Sequence, residues 1–200
     1  MAVAENSIIA LIGKPGVGKF TIGSVLAQMT GARLVDNHSI NNVIFNAIAA
    51  DGVSQLPPEI WVQVGRVRAA VLETVATIAP RHLSFIFTNF MVGDDPAEYA
   101  AFLELVRLAE VRGAAFVPVI LHCRTEELVK RIVSPDRRIR MKLIDPGVGA
   151  QINEEVPQFS TDHPNLLELD VSERSPEDAA SLILDWVKRC GTRAGGHPAQ

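Results

Sequence analysis

The stretch Ser7-Ile8-Ile9-Ala10-Leu11-Ile12-Gly13-Lys14-Pro15-Gly16-Val17-Gly18-Lys19-Phe20-Thr21 decides how the chain is read. Its first six residues form an apolar run stopped by a glycine-rich turn, the pattern of a strand buried on both faces. From Lys19 to Met29 the apolar residues Ile22, Val25, Leu26 and Met29 recur at helical spacing, and Gly31 sits where a helix ends. Residues 13–19 fit GxxxxGK between that strand and that helix, which is the context that gives the motif meaning. Glycines admit positive φ, so consecutive N–H groups can converge on one centre. The helix N-terminus adds partial positive charge there, and Lys19 adds a full one. Gly13, Lys14, Pro15, Gly16, Val17, Gly18, Lys19, Phe20 and Thr21 are the expected phosphate-binding segment.

The motif's next position normally holds Ser or Thr, whose hydroxyl ligates magnesium, but here it is Phe20, followed by Thr21. Phosphate binding survives the exchange because it relies on backbone and lysine. Thr21 lies about 100° further round the helix and does not simply replace the missing ligand. Three readings stay open for Mg2+. Asp36 holds it through water, with Thr21 as the other candidate ligand; or it arrives only with the nucleotide; or catalysis is weak.

Outward from this stretch, strand and helix alternate. Ala32–Asn37 reads as a second strand, Ser39–Ala50 as a helix, and Pro58–Ile78 as a long helix with Ile60, Val64, Val67, Val71 and Val75 on one face. Leu83–Asn89 is the third strand and Pro96–Val111 the next helix, with Tyr99, Phe102, Leu103 and Val106 inward. Pro118 argues for starting the fourth strand there, since proline suits a strand's first residue or an edge. Thr125 is placed to cap the following helix, with Glu126 and Glu127 in its first turn. Leu167, Leu169 and Val171 alternate with acids as in a half-exposed edge strand, and a last helix begins at Ser175-Pro176-Glu177-Asp178. Five strands alternating with helices give an α/β fold with a parallel sheet and right-handed crossovers. One domain is expected over residues 1–190, with a basic lid segment near 134–155 and a disordered tail at 191–200.

Composition narrows the function classes. With 200 residues, 48% hydrophobic and 21% charged, the chain is an ordinary globular mixture. A net charge of −4 gives no overall attraction to a polyanion, so no nucleic-acid partner is expected. No apolar run approaches the ~20 residues that cross a bilayer, and Met1–Ser7 lacks the basic start of a secretory signal. The expectation is therefore no membrane partner and a cytoplasmic location. Two cysteines 67 residues apart, Cys123 and Cys190, offer neither a disulfide framework nor a zinc knuckle.

There is no NKxD, which counts against a GTPase, and the third strand ends in Thr88-Asn89 rather than the consecutive acids of motor-type ATPases. The sequence instead resembles the P-loop small-molecule and nucleotide kinases: shikimate, gluconate and adenylate kinases and the chloramphenicol phosphotransferase-like proteins. It is most similar to a group whose loop reads GxPGVGK-apolar-Thr and whose second strand ends in Asn-His, here Asn37-His38. The resemblance implies a three-layer P-loop NTPase fold with strand order 2-3-1-4-5. It implies ATP and Mg2+ as cofactors, a small hydroxylated metabolite or nucleotide as acceptor, and transfer of phosphate to an alcohol.

It also implies roles for single residues. Leu121–Leu128 through Arg131 is similar to the fourth strand and following helix of these kinases, and Arg131 takes the place of the arginine that lies against adenine. Among Arg137, Arg138, Arg140 and Lys142, Arg138 matches the spacing of a lid arginine. The competing account of this cluster is a solvated helix face. Asp170–Glu177 resembles the turn that borders the base. Asp36 resembles the acid after the second strand that takes a hydroxyl proton or holds a metal-bound water, and is alternatively an N-cap. His38 is a candidate for binding substrate, or else a hydrogen-bonded structural histidine. Arg66 is the candidate for holding an acceptor carboxylate, although Arg68 falls nearer the Val64–Val67–Val71 stripe. Asp94 and Asp95 suit a helix cap better than a metal. Lys19, Asp36 and Arg138 are thus the expected catalytic set. Phe20 keeps a second account open, a nucleotide-binding regulatory protein without turnover.

Overall fold

A computed structural model of the chain describes residues 6–50, 56–134, 137 and 142–194. Five parallel strands form one sheet in the order β2-β3-β1-β4-β5, where β1 is Ser7–Ile12, β2 Arg33–Asp36, β3 Phe85–Asn89, β4 Ala115–His122 and β5 Leu167–Asp170. This is the three-layer architecture and strand order expected from the sequence. All six residues of β1 are buried, as a central strand covered on both faces requires.

The two-residue period of β1 divides the core. Ile9 and Leu11 face one way, packing with Ile22 and Leu26 of α1 (Lys19–Thr30) and with Ile183 and Val187 of the C-terminal helix (Pro176–Ala194). Ile8, Ala10 and Ile12 face the other way, toward Val75 of α3 (Glu59–Thr77) and Phe102 and Leu105 of α4 (Pro96–Arg112). A smaller apolar cluster joins α2 (Asn37–Ala47) to α3 through Ile40, Phe45, Ile60 and Val64. Helices α5 (Thr125–Ile132) and α6 (Pro146–Glu155) pack beside the loop between β1 and α1, where Ile132 and Leu128 of α5 meet Gly149 of α6. The C-terminal helix is α7. Among the described residues no helix is long and apolar enough to cross a membrane.

Several expectations shift. β4 begins at Ala115, so Pro118 lies inside it, opposite Ala10. β5 pairs only from Val119 onward, so β4 is locally an edge at the proline, where the missing N–H is tolerated. Thr125 does not cap α5; its hydroxyl accepts a hydrogen bond from Asn153 Nδ2, and Arg124 occupies the cap position without a side-chain bond. Tyr99 is exposed rather than inward, lying against Phe102 and Phe159. Residues 191–194 extend α7 rather than begin an irregular tail, since adding a residue to a formed helix gains a hydrogen bond without a new nucleus. Residues 195–200 lie outside the described residues.

Candidate functional site

A cavity of about 660 Å3 opens at the carboxyl ends of the strands, where ligands of open parallel sheets bind. One wall is the loop between β1 and α1. Gly16 and Gly18 adopt φ of 92° and 108°, left-handed values that only glycine takes without strain and that curl successive amides into a concave anion nest. Gly16 is doubly constrained, because a Cβ there would meet Ile132 Cγ1 at 2.8 Å. Pro15, Gly16, Gly18, Lys19, Phe20 and Thr21 line the cavity directly. Gly13 and Val17 support it from behind, Gly13 N donating to Asn89 O and Val17 N to Lys14 O.

Lys14 turns away from the cavity. It is buried and donates from Nζ to Asn153 O at 2.7 Å, tying the loop to α6. Asn153 Nδ2 in turn donates to Cys123 O and to Thr125 Oγ1, so one asparagine joins the loop, the end of β4 and α6. Nothing in the spacing of Asn153 announced this. Arg131 acts as a strut: its guanidinium donates to Val17 O at 3.0 Å and to Val171 O at 2.7 Å, linking the loop to the turn after β5 while still lining the cavity.

Lys19 reaches back over its own loop, donating to Gly13 O at 2.5 Å and Lys14 O at 3.0 Å. Burial, followed by the neighbouring charges of Lys142 and Arg137, lowers its pKa to about 7, against the opposing pull of Asp36. A bound polyanion restores the ammonium, so binding takes up a proton. Uptake is small below pH 6, approaches one proton near pH 8.5, and makes affinity fall as pH rises above 7. Calorimetry of ATP binding at pH 8 in buffers of different ionisation enthalpy should show this uptake; buffer-independent heats would contradict it.

Across the cavity, Asp36 ends β2 and starts α2, with its carboxylate in no capping bond. Instead Oδ1 accepts from Thr88 Oγ1 at 2.6 Å and Oδ2 pairs with Lys142 Nζ at 3.3 Å. Thr88 also accepts from Asn37 N, which fixes the end of β2 against β3. His38 lines the same wall, and burial, then the charge of Lys142, lowers its pKa to about 4. At neutral pH it is an uncharged hydrogen-bonding group.

The cavity is the basic spot of an acidic chain. Lys19, Arg131, Arg137, Lys142 and Arg174 line it against the single carboxylate of Asp36. Arg174, in the turn before α7, was not singled out in the sequence. Arg138 and Arg140 lie outside the described residues. The remaining wall is apolar: Phe45, Leu56, Trp61 and Phe90, with Asn37 and Asn41 as polar interruptions. Arg66 is not brought there. Its position falls on the exposed side of α3, about 200° round from buried Val64, and it bonds Gln63 instead. Arg68 donates to Ala101 O and pairs with Glu104. Asp95 caps α4 by accepting from Ala97 N, as its sequence context suggested.

Magnesium finds no fit among these protein groups. Phe20 offers no hydroxyl, Thr21 lies about 100° further round α1, and the ammonium of Lys142 already balances the charge of Asp36. No cluster of three His, Cys, Asp or Glu occurs among the described residues.

No family model and no curated protein matches the sequence. Solved structures do match the fold. A gluconokinase from Sinorhizobium meliloti 1021 aligns with a TM-score of 0.64 at 15% identity, covering 98% of this chain and 99% of that one. A sugar kinase from Janibacter sp. HTCC2649 gives 0.57 at 16% identity over 96% and 99%. A shikimate kinase from Acinetobacter baumannii, in complex with shikimate, gives 0.51 at 17% over 93% and 95%. At such identities the likeness is one of fold: the chain has a P-loop-kinase-like architecture.

Proposed function

We propose that the chain is an ATP-dependent phosphotransferase acting on a small hydroxylated molecule. The observation that carries this is the cavity itself, in which a glycine-built anion nest, five cations and one carboxylate adjoin an apolar pocket. The nest and Lys19 hold the outer phosphates, and Arg131 with the turn at 171–174 borders the base. Arg138 is the expected lid cation. The acceptor hydroxyl donates a hydrogen bond to Asp36, whose carboxylate has lone pairs beyond those used by Thr88 and Lys142. As the acceptor oxygen bonds to the γ-phosphorus, the bond from phosphorus to the ADP oxygen breaks. The hydroxyl proton passes to Asp36, and the surrounding cations carry the charge of the transferred group.

The acceptor wall favours a neutral molecule with an apolar or aromatic face. Phe45, Trp61 and Phe90 supply the contact surface, and Asn41 Oδ1 is buried without a hydrogen-bond partner among the described residues, ready to accept from a second hydroxyl. With ATP, aryl glycosides and nucleosides should be phosphorylated at least about tenfold more efficiently than gluconate or shikimate, a difference of about 1.4 kcal/mol. Equal or better use of the carboxylates would contradict this assignment of the wall. Phe20 supports a second reading, nucleotide binding for regulation; ATP binding with no transfer to any acceptor would favour it.

A further inference from the structure

The exchange at Phe20 and the position of Lys142 lie 122 residues apart in sequence and meet in one contact. Lys142 Nζ sits 4.5 Å from the centroid of the Phe20 ring and 3.3 Å from Asp36 Oδ2. Both partners of the ion pair are nearly out of solvent, Lys142 at 10% and Asp36 at 8% side-chain exposure. An aromatic face and a carboxylate attract a desolvated ammonium together. The backbone holds the lysine in place, since Lys142 N donates to Arg137 O and Arg137 Nε to Leu143 O. The hydroxyl that would help bind a metal ion is replaced by a ring that binds an ammonium, and the acid across the cavity holds the same ammonium.

We propose that Lys142 is a built-in cation occupying the place of the divalent metal, so that this site takes the nucleotide triphosphate in metal-free form. The proposal rests on the nucleotide reading above and adds to it which cation balances the phosphates. The ammonium lies close enough to Lys19 and His38 for its charge to lower the pKa of both, which places it beside the loop that receives the phosphates.

The test is titration calorimetry of the full chain with ATP in excess EDTA and, separately, with ATP and excess Mg2+. The expected result is a Kd in EDTA within about threefold of that with Mg2+. Lys142→Met should weaken binding in EDTA about 10- to 30-fold, the size of one lost charge-assisted contact, while Lys142→Arg restores most of it. Adding Phe20→Ser to Lys142→Met should make binding Mg2+-dependent. Binding of wild type that needs Mg2+ by tenfold or more would overturn the metal substitution and leave the nucleotide reading standing. An unchanged Kd in folded Lys142→Met would also overturn it. No ATP binding in either medium would overturn the nucleotide reading itself, and this proposal with it. The EDTA comparison uses only wild-type protein, so it decides the matter even if a variant does not fold.

Discussion

Replacing Lys19 by methionine should weaken ATP binding about 100-fold, equivalent to about 2.7 kcal/mol, with little loss of thermal stability. The large effect follows from position: Lys19 opens α1 and lies in the cavity beside a loop whose glycines curl their amides toward the same centre. The small stability effect follows from burial. The ammonium is held against desolvation and the like charges of Lys142 and Arg137, so its removal relieves a cost while losing two bonds to loop carbonyls. Calorimetry with ATP and a thermal melt on the same sample check both halves. Retained affinity would show that the phosphates do not lie in this loop. Lost affinity with a collapsed melting temperature would show that Lys19 mainly holds the loop together.

Replacing Asp36 by asparagine should lower phosphoryl transfer by about 100- to 10,000-fold while ATP affinity stays the same or rises. The two parts separate chemistry from architecture. Asparagine keeps an oxygen for Thr88 Oγ1 to donate to, so the junction of β2 and β3 survives, but it cannot take up the acceptor's proton. It also removes a negative charge from beside Lys19 and Lys142, which leaves both cations more attractive to a polyanion. Single-turnover transfer and equilibrium ATP binding measured in parallel check the split. Unchanged turnover would remove Asp36 from the chemistry. A parallel loss of ATP binding would assign it to holding the cavity in shape.

The sequence carried the fold because its signals are local. The apolar run 7–12, the glycine turn and the helix from Lys19 are neighbours in the chain, and alternation of strand with helix dictates a parallel sheet with its ligand at the strand ends. That the loop after β1 and Asp36 both line the cavity was legible for the same reason, each being at the end of a strand. Pairings across long sequence separation were not. Lys142 against Phe20, Asn153 against Lys14 and the apolar wall from Phe45, Trp61 and Phe90 exist only once helices dock, and no spacing rule brings residue 20 to residue 142. Arg66 was misplaced because two arginines two residues apart point to nearly opposite sides of a helix, and the face that packs was settled by Ile60 and Val64 against α2.

The docking of α6 was hidden for a further reason. Its first turn carries glycines at 147 and 149, which weaken a helical pattern, yet Asp145 caps it by accepting from Gly147 N and Val148 N, and Gly149 leaves room for Ile132. A poor helix former is there because a larger side chain would strike α5, with a Cβ at 149 only 2.1 Å from Ile132 Cδ1.

The central claim is that the loop between β1 and α1 cradles a triphosphate. A crystal structure with a non-hydrolysable ATP analogue tests it most directly. The account predicts the β- and γ-phosphates inside residues 13–19, with Lys19 Nζ swung from its carbonyl partners to about 3 Å from a phosphate oxygen and the acceptor pocket open beside Asp36. An analogue seated elsewhere, or a Lys19 still bonded to Gly13 O and Lys14 O beside an empty nest, would contradict it.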